Sequence, residues 1–223
     1  MRVALYYAPA ITDPLWSRAC AWLGRDPEAG APCPQPDIPG IAEATADPRL
    51  YGFHATLKPP MALRPGKSFE ALVDAARGVA AGVPEFDLPP LRVAELHGFL
   101  ALRETEPSPA LQALSDACIA SLDEFRAPPT EQDLARRRKN GLRPAEDAML
   151  TRWGYPYAFS TWFFHMTLTR RLSPEERTKF QPAAEAFLVD ALAASRRVTH
   201  IALFTQPRPG LPFAIARRIP LTG

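Results

Sequence analysis

Apolar positions along the chain recur at two periods, and the changes of period mark its elements. Alternation at period two predicts strands. The opening run Arg-Val-Ala-Leu-Tyr-Tyr reads as the first strand. Residues 92–102 place Ala94, Leu96, Leu100 and Leu102 on one face of a long strand, and residues 198–206 do the same with Thr199, Ile201 and Leu203. Phe213 to Pro220 then returns as a hairpin partner after Gln206-Pro207-Arg208-Pro209-Gly210. Helical spacing joins Leu111, Leu114, Cys118 and Leu122 in one stripe, and Phe180, Ala184, Phe187, Leu188 and Leu192 in another. Three helix starts are explicit. Asp13-Pro14, Ser108-Pro109 and Ser173-Pro174 each set a capping side chain before a proline suited to the first helical position, and Glu176 completes a capping box with Ser173.

The order of elements repeats. A His-Ala-Thr-Leu strand, a helix over about 68–82 and a long strand are matched, half a chain later, by a His-Met-Thr-Leu strand, a helix over about 174–194 and a strand. That pattern predicts an α+β fold of two pseudo-symmetric lobes, with antiparallel sheets facing a central cleft and helices outside. The expected organisation is one bilobal domain over 1–223: lobe one about 1–126, an inserted helical linker about 127–157, lobe two about 158–223, with strands free to swap between lobes. Residues 25–50, rich in proline and glycine, read as a semi-rigid surface loop. The linker should hold a short helix from near Thr130, ended at Asn140-Gly141.

The two repeated strands carry the candidate chemistry. Residues i and i+2 of a strand share a face. His54, Thr56 and Lys58 should therefore line one face, and His165, Thr167, Thr169 and Arg171 its counterpart, with apolar residues opposing both sets. Such a set suits a phosphodiester. One imidazole takes a proton from water while the other donates one to the leaving oxygen. Threonine hydroxyls and a cation hold the non-bridging oxygens. A single His-x-Thr triplet says little; two copies at matching places, each preceded by an aromatic and followed by leucine, say much more.

Composition narrows the alternatives. A net charge of +2 admits an anionic substrate without requiring nucleic acid. The 26 prolines in 223 residues are about twice the usual ~5% share, so stiff loops and sharp boundaries abound. Three scattered cysteines show no Cys-x-x-Cys, and four scattered histidines no metal-binding spacing, so neither a disulfide framework nor a metal site is expected. No apolar run is long enough to span a bilayer and the opening lacks a cleavage site, so no membrane association and a cytoplasmic setting are expected. ATP- and NAD-binding glycine motifs are absent, and no cofactor is expected. Strand parity sets His97 and His200, with Phe99 and Phe204, opposite the leucine-rich faces and so toward the cleft, but surface or packed positions are expected for both histidines. Tyr6 reads equally as a pocket border and as a packed aromatic. The run Arg136-Arg137-Arg138-Lys139 reads as a solvated helix face.

The paired motifs resemble those of the two-histidine phosphoesterase superfamily. Arg2 to Pro9, Trp22 to Asp26, Tyr51 to Pro60 and Arg152 to Tyr157 are similar to the branch encoded with phosphonate-degradation genes. The resemblance implies a bilobal fold and metal-independent hydrolysis of a small cyclic phosphodiester, with a phosphoribosyl 1,2-cyclic phosphate as a candidate. It carries catalytic roles to His54, Thr56, His165 and Thr167. Lys58, Thr169 and Arg171 are expected to bind substrate on strand parity alone. The alternatives are a 2′,3′-cyclic phosphodiesterase acting on nucleotides or RNA ends, and a non-catalytic nucleotide or phosphosugar sensor. The expected partner is a small cyclic phosphate; nucleic acid stays open without being favoured, and oligomeric state is not set by the sequence.

Overall fold

The computed structural model describes residues 1–139 and 141–223. The expected stop at Asn140-Gly141 falls partly on Asn140, which lies outside the described residues. In chain order the elements begin with β1 (Arg2–Tyr7), α1 (Pro14–Leu23), β2 (Arg25–Asp26), β3 (Ala31–Pro32), α2 (Ile41–Ala44), α3 (Ala46–Tyr51), β4 (Ala55–Ala62) and α4 (Phe69–Ala81). There follow β5 (Phe86–Leu88), β6 (Leu91–Leu96), β7 (Phe99–Glu104), α5 (Pro109–Ser121), α6 (Glu131–Arg138) and α7 (Pro144–Trp153). The chain ends with β8 (Met166–Thr167), α8 (Pro174–Ala193), β9 (Arg196–Val198), β10 (His200–Gln206) and β11 (Ala214–Pro220).

Local chemistry sets the helix starts. Asp13 accepts from the Leu15 amide at 2.8 Å, Ser108 from Leu111 at 3.3 Å, and Ser173 from Glu176 at 3.2 Å. A capping box between Thr130 and Asp133 opens α6. One proline departs from expectation: Pro182 lies inside α8. It removes one backbone donor from a helix otherwise held by its buried stripe of Phe180, Ala184, Leu188 and Ala191.

The long strand expected over 92–103 is a hairpin. It turns at His97-Gly98, where both residues have positive φ (47° and 94°), the backbone that a two-residue turn demands. Pairing Val93 with Leu102 and Ala94 with Ala101 splits the expected face. Leu100 and Leu102 join the large core, whereas Ala94 does not. The segment 25–50 is likewise not a loop. It holds a two-strand ribbon and two short helices, pinned by Arg49, which donates to the Leu23 carbonyl, Gln35 and Thr45. Prolines near helix starts, such as Pro48 in α3, hid these short helices from a composition-based reading.

Seven strands form one antiparallel sheet in the order β11-β10-β1-β4-β8-β7-β6. Its halves meet at the pair Ala55↔Met166, each the residue after a motif histidine. On either side of that pair the order is matched. β1 flanks β4 as β7 flanks β8, and β10 lies beyond β1 as β6 lies beyond β7. β5 pairs with its counterpart β9. The structural repeat therefore breaks at the His97-Gly98 turn. The last strand of each repeat crosses to the other half, so the half-sheets are not contiguous ranges of chain. α1, α4, α5 and α8 bury their stripes against Val3, Leu5, Leu57, Leu100, Met166, Ile201 and Leu203. The opposite face carries Tyr6, Phe204 and Phe213 and opens into a cleft. Among the described residues no helix is long and apolar enough to cross a membrane.

A bulge in β4 corrects the position of Lys58. Tyr6 pairs with Thr56 but Leu5 with Lys58, so one extra residue enters β4 and the alternation slips. Lys58 consequently points into the helical layer, 2% exposed, donating to the Ile119 carbonyl at 3.0 Å with Asp123 at 3.6 Å. Burial draws its pKa down to about 8. Lys58→Met should leave kcat/KM within about twofold while destabilising the fold by about 1–2 kcal/mol, since Ile119 loses its donor whereas Asp123 keeps Arg126 at 2.7 Å. Denaturant titration alongside kinetics checks this, and a large loss of activity in a stable Lys58→Met protein would return Lys58 to the cleft.

Candidate active site: a cleft with two histidines

The pairing of Ala55 with Met166 does more than join the halves. Continued one residue each way, the antiparallel register faces His54 toward Thr167 and Thr56 toward His165. All four side chains line one cavity of about 320 Å³. Tyr51, Phe99, Thr169, Arg170 and Arg171 complete most of its wall, with Asp47 and Pro48 from α3 at one side.

Each imidazole is held the same way. Nδ1 of His54 lies 2.9 Å from the Gly52 carbonyl, and Nδ1 of His165 lies 3.2 Å from the Phe163 carbonyl. A carbonyl only accepts, so Nδ1 carries the hydrogen and Nε2 is left for chemistry. Aromatic rings fix the planes. Tyr6 stacks on His54 at 3.7 Å between centroids, and Phe163 on His165 at 4.8 Å. Indole N–H groups anchor the strands themselves: Trp162 donates to the Thr56 carbonyl at 2.9 Å and Trp22 to that of Leu168 at 3.0 Å. Tyr6 is thus both packed and at the border of the cleft.

Electrostatics favour neutral imidazoles in the free cleft. Burial lowers the pKa of His54 to about 4, helped by the nearby His165. His165 is lowered as well, chiefly by burial and further by the Arg103 guanidinium. In both, the carbonyl on Nδ1 works in the opposite direction without prevailing.

The remaining expected residues divide. Arg171 is exposed on the cavity wall with no ion pair to a described carboxylate, and is free to meet an anion. Thr169 also reaches the wall, but it is 1% exposed and its oxygen accepts from the Leu100 amide at 2.9 Å. Its first role is thus to tie the second motif to β7. Lys58 is absent from the cleft, as the bulge requires. His97 sits in its turn, and His200 is 9% exposed between Thr199 and Arg218, so neither lines the cleft. Phe99 does, 6.1 Å from His165.

Sequence reasoning missed a second chamber. A cavity of about 560 Å³ shares Tyr51, His54 and Thr56 with the first and is also lined by Arg2, Arg136, Arg137 and Tyr155. Half of the basic run therefore faces the cleft rather than solvent alone. Nothing local in the sequence could announce this, because α6 reaches His54 only through its tertiary placement. Among the described residues no three His, Cys, Asp or Glu side chains are grouped to hold a metal ion.

Matched His-x-Thr strands, related by pseudo-two-fold symmetry and sharing one cleft, define a bilobal α+β protein with two histidines over a shared cavity. More particularly, the chain belongs to the family described as "Protein of unknown function (DUF1045)", whose model matches residues 56–214. Two curated relatives are similar over nearly all of this chain. They are a Janthinobacterium sp. (strain Marseille) protein named ribose 1,5-bisphosphate phosphokinase PhnN, 39% identical over 100% of the chain, and a Laribacter hongkongensis (strain HLHK9) protein of the same name, 34% identical over 98%. The chain spans about half the length of both, 51% and 52%. Among solved structures, apo LigT of E. coli is 15% identical with a TM-score of 0.47, covering 100% of this chain and 98% of that one.

Proposed function

We propose that this chain hydrolyses a small cyclic phosphodiester by paired histidine acid–base catalysis without a metal. The observation that carries this is the matched pair of imidazoles, each with Nδ1 tied to the carbonyl two residues earlier and Nε2 left over a shared cavity. One Nε2 accepts a proton from water as its oxygen attacks phosphorus. The other donates a proton to the ester oxygen as the ring P–O bond breaks, giving a phosphate monoester and a free hydroxyl. Thr56 and Thr167 are suited to hold the non-bridging oxygens, and Arg171 to offset the charge. Burial draws the pKa of His54 down to about 4, which suits it as the base, with His165 as the acid.

The candidate substrate is a phosphoribosyl 1,2-cyclic phosphate. The curated relatives, named for a kinase of ribose 1,5-bisphosphate, support a ribose phosphate. This chain carries no Gly-x-x-x-x-Gly-Lys-Ser/Thr loop, so phosphorylation itself is not assigned to it. The test is a screen of cyclic phosphodiesters by phosphorus NMR, including ribose 1,2-cyclic phosphates and nucleoside 2′,3′-cyclic phosphates, with and without EDTA. Turnover unaffected by EDTA is expected for the ribose 1,2-cyclic compounds. Turnover of nucleoside compounds only would shift the reading to a 2′,3′-cyclic phosphodiesterase, and tight binding with no turnover to a sensor.

The pH profile follows from the burial of both rings. In the free protein the base must be neutral, which holds above about 4, and the acid charged, which needs a pH below the ordinary histidine value of ~6.5. kcat/KM should therefore form a bell on the acidic side of neutrality. A bound anion stabilises imidazolium, so the alkaline limb of kcat should lie at higher pH than that of kcat/KM. An alkaline limb of kcat/KM above pH 7 would contradict depressed histidines.

A further inference from the structure

We infer that the cleft holds a second anion subsite, formed by Arg2 and Arg137, for a phosphate monoester that the substrate carries beside its phosphodiester. The link to a substrate rests on the phosphodiesterase reading; the subsite itself stands on the second chamber. That chamber opens beside His54 and Thr56 and runs past Tyr155 to three arginines. Arg136 is exposed and already neutralised by Asp133 at 2.7 Å. The other two are not neutralised: among the described residues neither Arg2 nor Arg137 meets a carboxylate within ion-pair distance.

Their surroundings hold them ready. Arg2 donates through Nε to Gln206 at 2.7 Å and lies over the Phe213 ring at 5.4 Å, and among the described residues its Nη groups have no hydrogen-bond partner. Arg137 lies over the Tyr155 ring at 5.6 Å, half-buried. Its neighbour Arg138 turns away to Asp147 at 2.6 Å, which fixes the rotation of α6 and aims Arg137 inward. Elsewhere half-buried arginines have either an anion, as Arg170 has Glu176 and Arg218 has Glu28, or several oxygen acceptors, as Arg49 has in Leu23, Gln35 and Thr45. A partly desolvated guanidinium with neither is costly unless a ligand supplies the charge. Two planar forks suit the terminal oxygens of a phosphate monoester. With the phosphodiester seated between the histidines, the second chamber is left for that group.

Calorimetric titration with ribose 5-phosphate, which has no phosphodiester, tests the subsite apart from catalysis. Ribose 5-phosphate should bind and ribose should not. Arg2→Met and Arg137→Met should each weaken binding at least about tenfold, the expected loss of one charged hydrogen-bonding partner. Arg138→Met and His165→Asn should leave it within about threefold, and Arg137→Lys should fall between, with unchanged melting temperatures showing intact folds. Absence of binding, or binding that depends on Arg171 and not on Arg2 and Arg137, would overturn the subsite. Binding as expected, with no turnover in the phosphodiester screen, would uphold the subsite and remove the phosphodiesterase reading instead.

Discussion

His54→Ala and His165→Ala should each lower kcat by about 10²- to 10⁴-fold on the phosphodiester that the screen identifies, the span expected for one general acid or base. Both rings serve the same displacement step, so the double variant should lose little beyond the worse single one. The pH profiles should separate the roles. Removing the base abolishes the acidic limb of the bell, and removing the acid abolishes the alkaline limb. With His54 as base, the acidic limb should vanish in His54→Ala and the alkaline limb in His165→Ala. Neither ring anchors the core: among the described residues each has a single protein hydrogen bond, through Nδ1. Circular dichroism and melting should therefore show folded variants. Full activity in either would exclude paired catalysis, and loss of the opposite limbs would reverse the assignment of acid and base.

Gly52→Ala should damage stability and activity together. Gly52 has φ 79° and ψ 174°, a conformation essentially reserved for glycine. A Cβ there would also lie 2.7 Å from Cγ of Pro27, a ring that cannot swing aside. Strain and overpacking of this kind each cost about 1–3 kcal/mol, so about 3 kcal/mol is expected in sum. That corresponds to a fall in Tm of about 6–12 °C for a chain of this size. Relief of the clash moves the Gly52 carbonyl, which holds Nδ1 of His54 at 2.9 Å. A shift of about 1 Å in a reacting group can cost ~10²-fold, so kcat should fall at least about tenfold in protein that is still folded. Gly30→Ala is the control. Gly30 also has positive φ, at 67°, but a Cβ there meets nothing within 4 Å, so it should lose stability without loss of activity. Equal activity losses in both would show that the Gly52 effect does not pass through His54.

Local chemistry made much of this protein legible. Helix starts at Asp13, Ser108 and Ser173 were readable because a cap and a proline act within a few residues. The motif residues His54, Thr56, His165 and Thr167 were readable because strand parity holds over two positions, and the structure gathers all four around one cavity. Parity fails where the backbone departs from regularity. One extra residue in β4 sent Lys58 to the helical side, and a two-residue turn at His97-Gly98 divided a strand that alternation had made continuous.

The sequence by itself therefore determined the α+β class, the repeat and the pair of His-x-Thr strands, since each follows from interactions among near neighbours. Only the tertiary structure decided that the last strand of each repeat crosses to the other half, and that Ala55 meets Met166 so that the two histidines share a cleft. It alone brought Arg2 from β1 and Arg137 from α6 to the same chamber, and left Arg138 outside. The reason is physical. Capping, turn chemistry and alternation act over a few residues, whereas strand exchange and the seating of α6 depend on packing between segments far apart in the chain, which no local pattern encodes.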